Sequence, residues 1–527
     1  MLPRIASAQF GLFDDGATLR VSRAIWDGEW SPSWEEGRGR FRPFYWIYHA
    51  LVYRVAGEKP QIFFAGNAVL FAATTAGLIY LVHLNGGTPL QAVMSGLLYA
   101  LSGPAVENSY TLSKPEHIQV FWLLTGFLLV SWLPRLRASW QRAVVSTLLF
   151  LSAFMALISK ETSLIMLPLG VCWLVSGWGY RRLRWASVDL QGRLYYLVTF
   201  TLASAGFFLA RSFYISGGLA AQGYSGQYDF NIRGMLAAAV RWAGWLLRDY
   251  AYLIPILLII LVWILVKKRI SETTIYVDLA IWMGAWVVIY LPWIYTQEYY
   301  LLPFALGAAA FSGLAVGEAV TLYARWGRSG RFFTAVCLGF ALVLFLITIP
   351  NNVTSARIQL AVDAVNADML TYLAQHTPSG GMVLVNLPKT SQYIREIQTL
   401  LAELYGRGDV SIQPLTGKGI PEIESKPSTV LVASPYIDNN PLLTVRLGLY
   451  EDNVDQRQAI LQEALRDVPE PVFITERGYP LFYIDVPSLV CWIGLASDYC
   501  EASVGLIDRR DFVYRWNLYQ IVVPSTS

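Results

Sequence analysis

Ten apolar segments lie between Ile62 and Ile349, and they decide what this chain can fold into. A hydrocarbon layer offers no water to the backbone, so a run that crosses it as a single segment must bond its peptide groups internally, as a helix. A span needs about 20 apolar residues, with a range of roughly 17 to 25. On that measure the segments are Ile62–Leu84, Pro89–Ala105, His117–Leu133, Val144–Ile158, Thr162–Trp178, Leu194–Ile215, Tyr250–Val266, Ile275–Tyr295, Tyr299–Val316 and Phe332–Ile349. Several are short and run on into their flanks. Only Ser159, Lys160 and Glu161 separate the fourth from the fifth, which allows a tight hairpin or one broken helix. Charged residues make up 15% of the 527 residues, against about a quarter in soluble domains. The 19 Trp and 30 Tyr fit aromatic belts at two membrane surfaces. The expected fold is mainly α, a multi-pass helix bundle in a cell membrane.

The positions of Lys and Arg matter more than the net charge of +3, which gives no case for nucleic-acid binding. One set of alternate loops holds Arg135, Arg137 and Arg142, then Arg181, Arg182, Arg184 and Arg193, then Lys267, Lys268 and Arg269, then Arg325, Arg328 and Arg331. The other set holds Lys114, Lys160 and, in its longest member, Arg233, Arg241 and Arg248; the loop at Gln297-Glu298 has no basic residue. Short loops rich in Lys and Arg stay in the cytoplasm. With ten spans, this places residues 1–61 and 351–527 outside. Three regions follow: 1–60, an outer stretch; 61–350, the bundle; and 351–527, an extracytoplasmic α/β domain. Met1-Leu2-Pro3-Arg4 is no signal peptide. Either the N-terminus crosses unaided or a first span precedes this numbering; the second is the expectation.

Within the outer stretch, Phe44, Trp46, Ile47, Leu51 and Val55 recur at near-helical spacing, as in a helix lying in the membrane surface. Met235–Leu247 is a second candidate. After Pro350, β-like runs (Met382–Leu387, Thr429–Ala433, Val472–Thr475, Leu481–Ile484, Phe512–Tyr514) alternate with helical stretches at Ala361–Gln375 and Val454–Arg466. That alternation predicts a small α/β domain. It contains no glycine-rich phosphate loop and no nucleophile elbow. Cys172 and Cys337 fall in apolar segments; Cys491 and Cys500 could pair if their region is extracytoplasmic. No Cys or His spacing matches a zinc site.

Asp14 and Asp15 lie in the run Phe10-Gly11-Leu12-Phe13-Asp14-Asp15-Gly16-Ala17-Thr18. Apolar flanks would keep them partly out of water, which raises a carboxylate's pKa unless a cation offsets it. Such a group suits a general base. A carboxylate pair could also hold a divalent cation beside a phosphate, the one cofactor the residues leave open. The plain alternative is an Asx turn or a helix N-cap for the stretch from Thr18, a common use of Asp. Other polar groups gather on the same side: Lys114, Glu116 and His117 in one loop, Lys160 and Glu161 in the next, Arg211 near the outer end of an apolar segment, and Glu298 in a short late loop. Cations at headgroup depth could bind the phosphate of a lipid. Lys160 and Arg211 are the first candidates, with snorkelling or ion pairing as their structural alternative. His117 reads as an interfacial residue rather than a base. Arg42-Pro43 opens the surface helix, and Arg42 could contact lipid phosphates.

In combination these pieces resemble the GT-C superfamily of membrane glycosyltransferases, in its protein O-mannosyltransferase-like and aminoarabinose transferase-like branch. Asp14-Asp15 matches an acidic pair in the first outer loop, Arg42-Pro43 with Phe44-Tyr45-Trp46 an Arg-Pro before an amphipathic helix, and Ser159-Lys160-Glu161-Thr162 a Lys-Glu step between close spans. Glu298-Tyr299-Tyr300-Leu301-Leu302-Pro303 is similar to a late outer loop of the same branch. The resemblance covers about residues 10–350 and implies inverting transfer from a polyprenyl-phosphate-linked sugar to a glycan, lipid or protein acceptor. It makes Asp14 the base and Asp15 its positioner or a cation ligand. Lys160 and Arg211 would stabilise the departing lipid phosphate, with Arg42 and His117 in weaker supporting places. Lys114, Glu116, Glu161 and Glu298 complete the expected substrate-binding set. The departure is the absent first span. Two rivals stand beside this reading: a non-catalytic membrane subunit with the same fold acting in assembly, and a transporter. Transporters keep their charges near the midplane, often on broken helices in repeats, whereas these charges crowd one rim and no repeat is evident.

Overall fold

The computed structural model describes residues 1–35, 40–183, 189–215, 228, 230–267, 274–293, 297–389, 391–416, 428–437, 454–466, 468, 470–484 and 507–523. Cys491 and Cys500 lie outside the described residues, as do Arg184, Lys268 and Arg269.

Three short helices come first: α1 (Leu2–Ala6), α2 (Asp15–Trp26) and α3 (Pro43–Ala56). The apolar helices follow as α4 (Pro60–Leu84), α5 (Pro89–Ala100), α6 (Gly103–Tyr110), α7 (Glu116–Trp132), α8 (Ser139–Ser159), α9 (Met166–Arg182) and α10 (Leu190–Tyr214). Then come α11 (Ile232–Tyr250), α12 (Leu253–Lys267), α13 (Thr274–Val288), α14 (Leu302–Arg325) and α15 (Arg328–His376). The remainder is β1 (Met382–Val385), α16 (Gln392–Tyr405), β2 (Ser411–Pro414), β3 (Ser428–Ile437), α17 (Val454–Ala464), β4 (Phe473–Ile484) and β5 (Ile507–Val523).

Among the described residues, seven helices are long and apolar enough to cross a membrane, and α11 with α12, bent by 81°, makes an eighth if the pair is one span. The other two expected segments fall on α5 and on α13, a shorter apolar helix. Twelve residues of α5 reach only about 18 Å at 1.5 Å per residue. Its start is set by a capping box, in which Thr88 and Gln91 satisfy each other's backbone N–H groups. Its burial is set by α14. A methyl group added at Gly313 would stand 2.1 Å from Ser95 Oγ, and one at Gly317 2.3 Å from the Gln91 side chain. Two glycines one turn apart let the backbones touch, as small residues do in membrane bundles. α14 is the central helix, 78% buried, while the apolar part of α15 is only 22% buried and faces outward.

The helix expected to stop at Pro350 does not stop. α15 continues through it to His376, so the last span and the predicted helix Ala361–Gln375 are one rod of 49 residues. A proline removes one backbone hydrogen bond and crowds the preceding turn. Packing on both sides holds the rod together: Asn352 donates to the Leu101 carbonyl at 2.7 Å, and Ala361, Val365 and Met369 lie in a buried core.

The sheet has the order β2-β1-β3-β5-β4, with β1 parallel to β2 and β3, and β5 antiparallel to β3 and β4. The predicted runs Val472–Thr475 and Leu481–Ile484 belong to one edge strand, which carries Pro480 opposite Asp511. An edge strand tolerates a residue without an N–H. Asn366 Oδ1 ties α15 to β5 by accepting from Tyr514 OH and Trp516 Nε1, each at 2.9 Å. One apolar core runs through Phe10, Leu12, Leu19, Phe63, Phe64, Val365, Leu400 and Trp516. The N-terminal stretch is therefore wedged between the end of the bundle and the sheet. On α3, Ile47, Leu51 and Val55 form an exposed apolar stripe, while Tyr45, Trp46 and His49 turn inward.

Candidate active site

Asp14 and Asp15 are neighbours in sequence and have different work. Asp14 occupies the N-cap position of α2, where an Asp side chain normally accepts from the first-turn N–H groups. Here it makes no such bond. Among the described residues it is the one non-glycine residue with a positive φ, at 65°, a conformation that Asp tolerates better than most side chains. Its carbonyl, not its carboxylate, takes the Thr18 N–H and hydroxyl, each at 3.0 Å. Asp14 is thus the N-cap by position, as the plain alternative had it, but its side chain does no capping. The carboxylate stays 34% exposed and accepts from Arg395 Nη2 at 3.1 Å.

Asp15 is buried, and its Oδ2 accepts from the Gly11 N–H at 2.8 Å. Gly11 lies close to both acids, since a methyl there would stand 2.6 Å from Asp363 Oδ1 and 3.5 Å from Asp15 Oδ2. Burial, and then the charge of Asp363, holds the Asp15 carboxyl well above its ordinary range. Arg4 closes this cluster, bonded to Asp363 Oδ2 at 2.6 Å and seated 3.7 Å over the Phe64 ring. The raised carboxyl expected of the pair therefore falls on Asp15, which is sealed from solvent.

Asp14 faces a cavity of about 360 Å³. From α2 come Asp14, Ala17 and Arg20; from α3 come Tyr45 and Trp46; Arg42 sits at the N-cap of α3. Trp34, Glu35, Ser113 and Arg395 complete the wall. Arg42 is fixed by a two-pronged pair with Glu35, at 2.7 and 2.8 Å, and Trp46 Nε1 donates to the same carboxylate at 2.9 Å. Burial works against the charge of Glu35, but Arg42, then Arg40 and Trp46, hold it below its usual range. The guanidinium also lies 4.7 Å from the Tyr45 ring centre. Such a bidentate, stacked arginine is preorganised. His49 stands behind Tyr45, with ring centres 4.8 Å apart. Burial first, then His117 and Arg42, push it down to about 3, which disfavours its charged form.

The other predicted residues do not line the cavity, and three of them are held in ion pairs. Glu116 is bonded to Lys160, whose ammonium lies 4.7 Å from the Tyr300 ring centre. Glu161 accepts the Phe41 N–H at 2.6 Å, which ties the α8–α9 turn to the residue before Arg42. Lys114 is buried over Tyr299, at 3.5 Å, and Phe13, at 4.1 Å. Glu298 meets Arg248 at 2.6 Å, and Arg248 also pairs with Asp249. His117 is buried with its ring centre 6.4 Å from that of Tyr48. Arg211 is buried on α10 between Phe207 and Tyr214, both of which pack on Phe41. The structure brings Asp14 and Arg42 into one cavity. The cations that line it with Arg42 are Arg20 and Arg395, rather than Lys160 and Arg211. Among the described residues no group of three or more His, Cys, Asp or Glu is placed to hold a metal ion. The two carboxylates of the pair turn to different partners, so they form no chelate.

Sequence reasoning missed Glu35 and Arg395. Glu35 carries a weak signal, seven residues before Arg42 and beside Trp34. Arg395 carries none, because its importance comes from the docking of α16 on α2, 381 residues away in the chain.

No protein-family model matches the sequence, and no curated protein matches it. The fold aligns with several solved structures. An oligosaccharyltransferase from Archaeoglobus fulgidus, tethered to an acceptor peptide, aligns at a TM-score of 0.46 and 14% identity, over 77% of this chain and 60% of that one. The same organism's AglB, in complex with an inhibitory peptide and a dolichol-phosphate, gives 0.47 and 14%, over 75% and 60%. ArnT from Cupriavidus metallidurans, bound to undecaprenyl phosphate, gives 0.44 and 12%, over 84% and 91%. This chain thus spans about 60% of the length of the oligosaccharyltransferase and most of the length of ArnT.

Proposed function

We propose that this chain is a membrane glycosyltransferase that moves a sugar from a polyprenyl-phosphate donor to an acceptor hydroxyl, with inversion. The reaction would take place on the non-cytoplasmic side, where the loop charges put the cavity and the sheet. One observation carries the reading: Asp14 is held at a helix start in a left-handed conformation, yet its carboxylate is spent on no helix N–H and lines a cavity with three arginines. A short polar side chain kept in that backbone region and directed to a cavity is the pattern expected of a reacting group.

In this mechanism the Asp14 carboxylate takes the proton of the acceptor hydroxyl as its oxygen attacks the anomeric carbon. The bond from that carbon to the phosphate oxygen breaks, and the electron pair leaves with the polyprenyl phosphate. Charge grows on that phosphate, so fixed guanidinium groups lower the barrier without having to reorganise. Arg42, locked by Glu35, and Arg20 line that cavity and would take this part. Trp34 and Trp46 offer flat apolar walls to a sugar ring. Asp15, buried and bonded to Gly11, is a structural group in this scheme.

The test is turnover by the purified protein in detergent with a panel of undecaprenyl-phosphate-linked hexoses, read as released undecaprenyl phosphate. The wild type is expected to release the lipid phosphate and Asp14→Asn to lose that release. A wild type that releases nothing from any donor, or an Asp14→Asn variant that works as well, would favour a non-catalytic subunit.

A further inference from the structure

The C-terminal region reaches into the cavity at one point. Arg395, on α16, donates to Asp14 Oδ1 at 3.1 Å and to Glu396 Oε1 at 3.3 Å. Glu396 is itself fully buried, and its Oε2 accepts the Ala17 N–H on α2 at 3.2 Å. The two helices meet closely at this place. A methyl group at Gly16 would stand 2.9 Å from Glu396 Oε2 and 3.1 Å from Leu400 Cγ. About two helical turns farther along, Arg23 of α2 reaches Glu403 of α16 at 3.0 Å. The docking of α16 is therefore fixed by a backbone bond, a glycine contact and an ion pair, none of which involves Arg395. Arg395 itself is 41% exposed and lines the cavity.

Resting on the glycosyl-transfer reading above, we propose that Arg395 is a positioning residue for Asp14, so that the α16 helix of the C-terminal region completes the active site. The Asp14 backbone is in a sparsely populated conformation, and its carboxylate lacks the helix bonds that would normally aim an N-cap side chain. One guanidinium nitrogen, Nη2, is shared between Asp14 Oδ1 and Glu396 Oε1, and that shared contact supplies the aim. The arrangement passes orientation from Glu396 to Arg395 to Asp14. Lys keeps the charge but carries it as a compact ammonium on a flexible stem in place of a planar guanidinium, so it should hold Asp14 less firmly and restore part of the function.

The experiment compares wild type, Arg395→Gln and Arg395→Lys in full-length protein in detergent, with two readouts. With the undecaprenyl-phosphate-linked hexose that the wild type turns over, Arg395→Gln is expected to lower kcat by about 10- to 100-fold, as misplacing a reacting group does. The KM for the donor and the melting temperature should stay near wild type, and Arg395→Lys should recover part of the rate. The second readout needs no turnover. Carbodiimide labelling resolved by peptide mass spectrometry should show Asp14 labelled several-fold faster in Arg395→Gln, with Glu403 unchanged. If the wild type turns over no donor, the transfer reading falls while the labelling still decides the contact. Asp14 labelled at the wild-type rate, or Glu403 rising in step with it, would overturn the proposal, because the first means no restraint and the second a loosened interface.

Discussion

Two charged regions share one end of the bundle, and they are built on opposite plans. Around Asp14, the carboxylate and the guanidinium of Arg395 are each about one-third to two-fifths exposed and line open space. By contrast, Arg4–Asp363 and Arg248–Glu298 are buried pairs, and Lys160–Glu116 is largely buried. In sequence the two groups look alike, as charges beside apolar runs. Burying a charge is costly unless a partner and hydrogen bonds compensate it. Charges with closed partners therefore hold helices together, whereas a charge left facing a cavity is available to a substrate. The same contrast separates Asp14 from Asp15.

The contrast can be broken first at its most buried pair. Arg4→Met should leave Asp363 without its guanidinium and cost about 3–5 kcal/mol, seen as a large drop in melting temperature. An unchanged melting temperature would mean that the pair is no keystone. A smaller effect concerns pH. Burial first, and the charge of Asp14 second, push Glu396 up to about 7 from 4.5, with Arg395 and the Ala17 N–H pulling the other way. A carboxyl whose folded pKa is raised holds its proton in the folded state after the unfolded chain has released it. Stability should then fall as pH rises from about 4.5 to about 7, since the unfolded state binds fewer protons in that window. Melting curves across that range should show the decline, and Glu396→Gln should flatten it. The smallest effect belongs to an exposed pair. Arg23 and Glu58 meet at 2.6 Å with side chains 37% and 43% exposed. Glu58→Gln should cost no more than about 1 kcal/mol, and added salt should erase the difference.

What the residues disclose in advance follows from the range of the forces involved. Apolar runs declare helices because a stretch such as Phe332–Ile349 has no other way to satisfy its backbone in lipid. The strands Met382–Val385 and Ser428–Ile437 were legible from the runs Met382–Leu387 and Thr429–Ala433, because Val383–Val385 and Val430–Ala433 are buried and rich in Val and Leu. Pro350 misled because local chain stiffness argues for a stop, while packing of Asn352 on Leu101 and of Val365 in the core carries the helix on. Arg42 was legible from the Arg-Pro step and Asp14 from its acidic neighbour. The choice between cap and cavity for Asp14 was not, since it turns on one backbone dihedral and on which atom Thr18 bonds. Arg395 was illegible for a different reason. Its helix shows an amphipathic pattern, but no local pattern names the helix that will lie against it.

The account turns on the division of labour within the acidic pair, and one side-by-side measurement tests it. Release of undecaprenyl phosphate from its hexose conjugate should fall by about 10²- to 10⁴-fold in Asp14→Asn, the usual worth of a general base. Asp15→Asn, which keeps an oxygen to accept the Gly11 N–H, should keep its rate near that of the wild type. Equal losses in the two variants, or the larger loss in Asp15→Asn, would contradict the account.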